Sequence, residues 1–221
     1  MQADAASALA WLKSHASTAT LAGMTRYAIP QEHALGVSMA DMKRLARELG
    51  RDHALAAALW DSGIYEARML ACMVDEPALV TAAQMERWCK DFDNWAIVDT
   101  VCFNLFDRVA PRWDKPAVWA AKKGEFHKRA AFALLWALAL HDKQASDAQF
   151  LAALPLLEAA ATDERNFVKK AVARALAAVG RRNAQLAKAS VALARRLAAS
   201  DDATARWIGK DALKTLGRAS P

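Results

Sequence analysis

Apolar residues return every three or four positions along almost the whole chain, the period of a helix with one face against a core. Met42, Leu45, Ala46 and Leu49 form one such stripe, with Lys43, Arg44, Arg47 and Glu48 on the opposite side. No segment reads convincingly as a strand, so the pattern predicts an all-α protein. Helix starts are signalled by Ser38 ahead of Asp41, and by Thr81 with Gln84 and Ser146 with Gln149 in capping-box form. Asp93 or Asn94 offers a cap for a helix beginning near Trp95. Gly50, Gly63 and Gly180 fall where helices end or turn, and Pro30, Pro77, Pro111 and Pro116 mark loops or first turns. The longest apolar run, Ala130 to Leu140, is shorter than the ~20 residues that span a bilayer, so it predicts a buried helix and no membrane partner.

Four segments repeat a theme: a basic residue opening an Ala-rich apolar helix. They contain Arg68 in Glu66-Ala-Arg-Met-Leu, Arg129 in Lys128-Arg-Ala-Ala-Phe, Lys170 in Lys169-Lys-Ala-Val, and Arg206 in Ala205-Arg-Trp-Ile. Positions 129, 170 and 206 lie 41 and 36 residues apart, and the 61 residues between 68 and 129 leave room for a divergent unit around Trp95 to Phe106. A spacing of ~40 residues is that of HEAT-like helix pairs, which stack because one pair cannot bury its own apolar face. The expected architecture is a single domain over 1–221: an N-terminal helix and loop in 1–35, stacked helix pairs in 36–216, and a tail in 217–221. The repeated basic residues either line up as a positive stripe or tie the carbonyls and carboxylates of neighbouring loops.

Composition adds helix propensity, since only 8 of 221 residues are glycine. Charge changes the picture more. Residues 121–221 hold 18 Lys/Arg against 9 Asp/Glu, whereas 1–120 hold 12 against 15. A half with that excess suits a polyanion, because clustered cations release counterions from nucleic acid. Cys72, Cys89 and Cys102 sit singly in apolar or amphipathic surroundings, which reads as reduced, buried thiols of a cytoplasmic protein. The first ten residues lack the basic and apolar regions of a signal peptide. His15, His33, His53, His127 and His141 show no metal-ligand spacing, and no glycine-rich phosphate loop or nucleophile elbow is present, so neither metal nor cofactor is expected.

The segment Trp88-Cys-Lys-Asp-Phe-Asp-Asn-Trp-Ala-Ile-Val-Asp-Thr-Val-Cys-Phe-Asn-Leu-Phe106 carries the candidate chemistry. Trp95 and Asp99 are four apart and share a helix face. A carboxylate in an apolar run needs a partner. That partner is a structural arginine, or Asp99 is aimed into a cleft beside an aromatic plate.

Trp95-x-x-x-Asp99, followed some thirty residues on by Lys128-Arg129-Ala-Ala-Phe-Ala-Leu, resembles the catalytic core of the HEAT-like-repeat alkylpurine DNA glycosylases, the DNA alkylation repair family. Gly36-Val-Ser, Leu59-Trp-Asp-Ser-Gly-Ile-Tyr-Glu-Ala-Arg68, Asp163-Glu-Arg-Asn-Phe-Val-Lys-Lys170 and Ala205-Arg-Trp-Ile agree in order and spacing, so the resemblance covers about 35 to 215. It implies an all-α superhelix, an α-solenoid with a basic concave groove for double-stranded DNA. It also implies a hydrolase that releases cationic alkylpurines without metal, cofactor or base flipping, and a groove that embraces a duplex needs no partner subunit, so a monomer is expected. By that match Trp95 is the aromatic wall, Asp99 the catalytic carboxylate and Arg129 a backbone contact near the lesion. Lys128, Lys169, Lys170, Arg174, Arg206 and Trp207 are the further DNA-binding candidates. Arg174 departs from the family pattern, which carries a tryptophan there; a guanidinium stacks or holds a phosphate but repels a cationic lesion. The alternative is therefore a HEAT-like protein that binds damaged or branched DNA without cutting a bond.

Overall fold

The structure, a computed structural model, describes residues 4–217; most of the expected tail, 218–221, lies outside the described residues. Among them every regular element is helical. The α-helices are α1 (Ala5–Ser14), α2 (Thr18–Met24), α3 (Met39–Leu49), α4 (His53–Asp61), α5 (Tyr65–Val74), α6 (Ala82–Lys90), α7 (Trp95–Asn104), α8 (Lys115–Ala120), α9 (Glu125–His141), α10 (Asp147–Ala159), α11 (Asn166–Gly180), α12 (Ala184–Ala198) and α13 (Ala203–Gly217). They gather into two compact units, Met1–Ala110 and Pro111–Pro221.

In the first unit α5 is central, packing on α3, α4 and α7. Its core is aromatic: Trp60 stacks on Trp88 with ring centroids 4.0 Å apart, and Phe92 and Phe106 close round them. The loop before α3 is pinned by Glu66 at the start of α5. This wholly buried carboxylate accepts from the backbone N–H groups of Leu35 (2.9 Å), Gly36 (2.7 Å) and Val37 (3.2 Å). Gly36 has φ +78°, and a Cβ there would run into the Ser17 carbonyl, so only glycine fits.

In the second unit α9, α11 and α13 pack in succession, with α8, α10 and α12 as their partners. The apolar run forms the buried middle of α9, as its length predicts. Phe132, Leu134, Leu135 and Leu138 are fully buried there, each contributing roughly 1.5–3 kcal/mol. Gly209 lets α13 approach α12 so closely that a Cβ would strike the backbone of Ala194 and Ala198.

The start signals operate largely as the sequence predicts. Ser38 and Asn94 cap α3 and α7, and Ser146 with Gln149 forms a reciprocal capping box. Thr81 caps α6, but the Gln84 amide donates instead to the buried Asp75 (2.6 Å), so that box is half made. Cys72, Cys89 and Cys102 are buried, and burial pushes the Cys72 thiol well above its ordinary pKa. No described helix is long and apolar enough to cross a membrane.

Candidate nucleic-acid interface

The Asn94 side-chain oxygen accepts from the N–H groups of Ala96 and Ile97, both at 3.0 Å, and so sets the first turn of α7. Ala96, Ile97, Val98, Val101 and Cys102 are then buried. Trp95 and Asp99, one turn apart, stay half-exposed on the remaining face. The Trp95 indole N–H donates to the Tyr27 carbonyl at 2.7 Å, which fixes the plane of the ring. Tyr27 closes a 3-10 turn and is itself 63% exposed; Ala28 after it adopts φ 53°. A cavity of about 50 Å³ at the start of α7, lined by residues including Tyr65, Arg68, Asp93 and Ile97, has room for a few waters and not for a purine. Burial raises the Tyr65 phenol far above its ordinary value, reinforced by Glu66 and Asp93, so Tyr65 stays neutral.

Three of the four repeated basic residues tie their helices to main-chain carbonyls. Arg68 lies over the Trp60 ring at 5.3 Å and donates to the Asp91 carbonyl at 3.3 Å. Arg129, only 5% exposed, donates to the Phe167 carbonyl at the start of α11 at 2.7 Å. Arg206 donates to the Ser200 and Asp201 carbonyls (2.8 and 2.9 Å) that follow α12. The fourth, Lys170, is exposed on α11, as is Arg174 one turn later, and neither has an ion pair among the described residues.

Lys128 is half-buried, with its ammonium 3.2 Å from Asp163. Asp163 also accepts from Arg165 at 2.8 Å, and Arg165 reaches the Lys123 carbonyl at 2.7 Å. The Arg165 hydrogen bond, with Lys128 adding to it, lowers the Asp163 carboxyl to about 2. Lys169 places its ammonium 5.4 Å from the centroid of the Trp207 ring. Within the first unit the structure thus brings Trp95 and Asp99 onto one accessible face. Within the second it leaves Lys170, Arg174 and Trp207 open to solvent, while Arg129, Arg206 and Lys128 are engaged by protein groups. The role of Tyr27 was not legible in the sequence, because the group holding Trp95 is a backbone carbonyl that any residue supplies. Among the described residues no group of three or more His, Cys, Asp or Glu side chains is placed to hold a metal ion.

The model of the family described as DNA alkylation repair enzyme matches residues 8–216. The chain belongs to that family. A comparison with curated proteins gives no significant match. Among solved structures, this DNA alkylation repair family member is similar to one described as "A new family of proteins related to the HEAT-like repeat DNA glycosylases with affinity for branched DNA structures". The TM-score is 0.78 at 18% sequence identity, over 96% of this chain and 95% of that one. At that identity the likeness establishes the HEAT-like helical-repeat fold of the family member, and nothing about its ligand.

Proposed function

We propose that this family member hydrolyses the N-glycosidic bond of alkylated purines in duplex DNA, leaving the base in the stack. The observation that carries the reading is Asp99: a half-exposed carboxylate on a helix whose buried positions are apolar, one turn from a tryptophan held by the Tyr27 carbonyl. An alkylated purine is already cationic and leaves without a general acid. Its departing bond pair neutralises the ring, and the sugar becomes oxocarbenium-like. Asp99 stabilises that charge and accepts the proton of the water that adds to the sugar carbon. The Trp95 face adds a cation–π attraction of about 0.5–2 kcal/mol. Lys128, Lys169, Lys170, Arg174, Arg206 and Trp207 serve the DNA backbone. Arg129, anchored on the Phe167 carbonyl, positions the start of α11 as well as any phosphate it meets. The protein works as a soluble cytoplasmic monomer.

A second reading, DNA binding without bond cleavage, is favoured by Arg174. This exposed cation stands where the family resemblance leads to a tryptophan, and it repels a cationic lesion. Release of 7-methylguanine or 3-methyladenine from alkylated DNA by the full chain, abolished in Asp99→Asn, is the expected result. Retained DNA binding with no release overturns the first reading in favour of the second. Absent or salt-independent binding overturns both.

A further inference from the structure

Trp60, Trp88 and Trp119 are wholly buried, but Trp207 on α13 is 39% exposed. It is not a loose side chain. The Lys169 ammonium sits 5.4 Å from the ring centroid, close enough for a cation–π contact that orients the indole. Lys210 and Lys214 share the exposed face of α13 with Trp207, at helical spacings of three and seven. α11, which packs on α13, adds the exposed Lys170 and Arg174. Against these cations stand Asp211 on α13 and Asp201 and Asp202 ahead of it, so the surroundings of the ring are net positive.

An aromatic plate held in place among unpaired cations is the arrangement that binds single-stranded nucleic acid: bases stack on the ring and phosphates meet the charges. A paired base in an intact duplex has both faces covered by its neighbours, so it offers this ring nothing. A base at a bulge, flap or branch point has a free face. From this geometry we infer that Trp207 is a stacking platform for an unpaired nucleobase, with Lys170 and Arg174 on the flanking phosphates. The inference rests on the DNA-binding part of the function proposed above and adds to it a preference for DNA that also offers an unpaired base.

The test uses the full chain and three DNAs of equal length: an intact duplex, a duplex with one bulged 2-aminopurine, and a three-way junction. Anisotropy reports affinity, and 2-aminopurine fluorescence reports stacking. The wild type is expected to bind the bulged and branched DNAs more tightly than the duplex and to quench the 2-aminopurine. Trp207→Ala is expected to lose about 5- to 150-fold on those two DNAs, the equivalent of one base–aromatic stack, and to lose the quenching. Duplex binding falls less than binding to those two DNAs, and Trp207→Phe keeps most of the preference. Lys170→Ala with Arg174→Ala weakens binding to all three DNAs and flattens the salt dependence. Equal loss on all three DNAs in Trp207→Ala, or no loss on the bulged DNA while duplex binding persists, overturns the stacking role alone. A wild type that binds none of the three overturns the DNA reading beneath it as well. A Trp207 that serves a protein partner instead leaves both optical readouts unchanged on substitution.

Discussion

Glu66 gives the sharpest prediction about what holds the first unit together. Its two carboxylate oxygens accept three backbone N–H groups, from Leu35, Gly36 and Val37, at 2.7–3.2 Å in a wholly buried site. Glu66→Gln keeps the size but leaves one oxygen and places an amide NH₂ where the other stood. That oxygen satisfies either the Gly36 and Val37 donors or the Leu35 donor, never both sets, and the NH₂ then faces a second donor. Hydrogen bonds to a charged group contribute about 1.5–3 kcal/mol each, and stranding a buried donor costs about 1–3 kcal/mol. The three bonds share one acceptor group and do not add in full. Glu66→Gln is therefore expected to cost about 2–4 kcal/mol, and Glu66→Ala, which also opens a cavity, about 3–5 kcal/mol. Urea unfolding followed by far-UV circular dichroism reads this directly: with a slope of about 1–3 kcal/mol per molar, a 3 kcal/mol loss lowers the midpoint by about 1–3 M. A Glu66→Gln loss below about 1 kcal/mol refutes the account, since it would mean the loop finds other acceptors without cost.

The Asp163 carboxyl is lowered to about 2 by Arg165 and Lys128, so its contribution is present above the ordinary 3.8 and lost as pH falls towards 2. Acid unfolding of the wild type is expected to be steeper over that window than that of Asp163→Asn, and identical acid limbs refute the cluster's role. Arg174→Trp is expected to raise release of 7-methylguanine above the wild-type rate by replacing a repelling charge with an aromatic face; an unchanged or lower rate shows that position 174 does not limit the reaction.

Local spacing carried much of this structure. Asn94 before Trp95, Ser146 with Gln149, and the basic residues at the fourth or fifth position of α5, α9, α11 and α13 are all legible because caps and helix faces are set by neighbours in the chain. The pairing of Trp95 with Asp99 on one face of α7 follows from the same period. What those residues touch was not legible. Arg68, Arg129 and Arg206 end on carbonyls of Asp91, Phe167 and Ser200, and a carbonyl leaves no mark on the sequence. Gln84 donates its amide N–H to the buried Asp75 carboxylate, a charge-assisted bond, in place of accepting at the helix start it was spaced for. Lys128 and Asp163 meet across 35 positions, a separation that only the packing of the second unit closes.

The three cysteines have a use that does not concern folding. Cys72, Cys89 and Cys102 are buried, and burial moves the Cys72 thiol away from the reactive thiolate. A single cysteine placed on an exposed position of α11, Lys170 for instance, would therefore stand alone before a maleimide dye in the native protein. The chain is in effect already cysteine-silent. Distances between a labelled α11 and a labelled DNA end become measurable by energy transfer without first stripping the native thiols from its core.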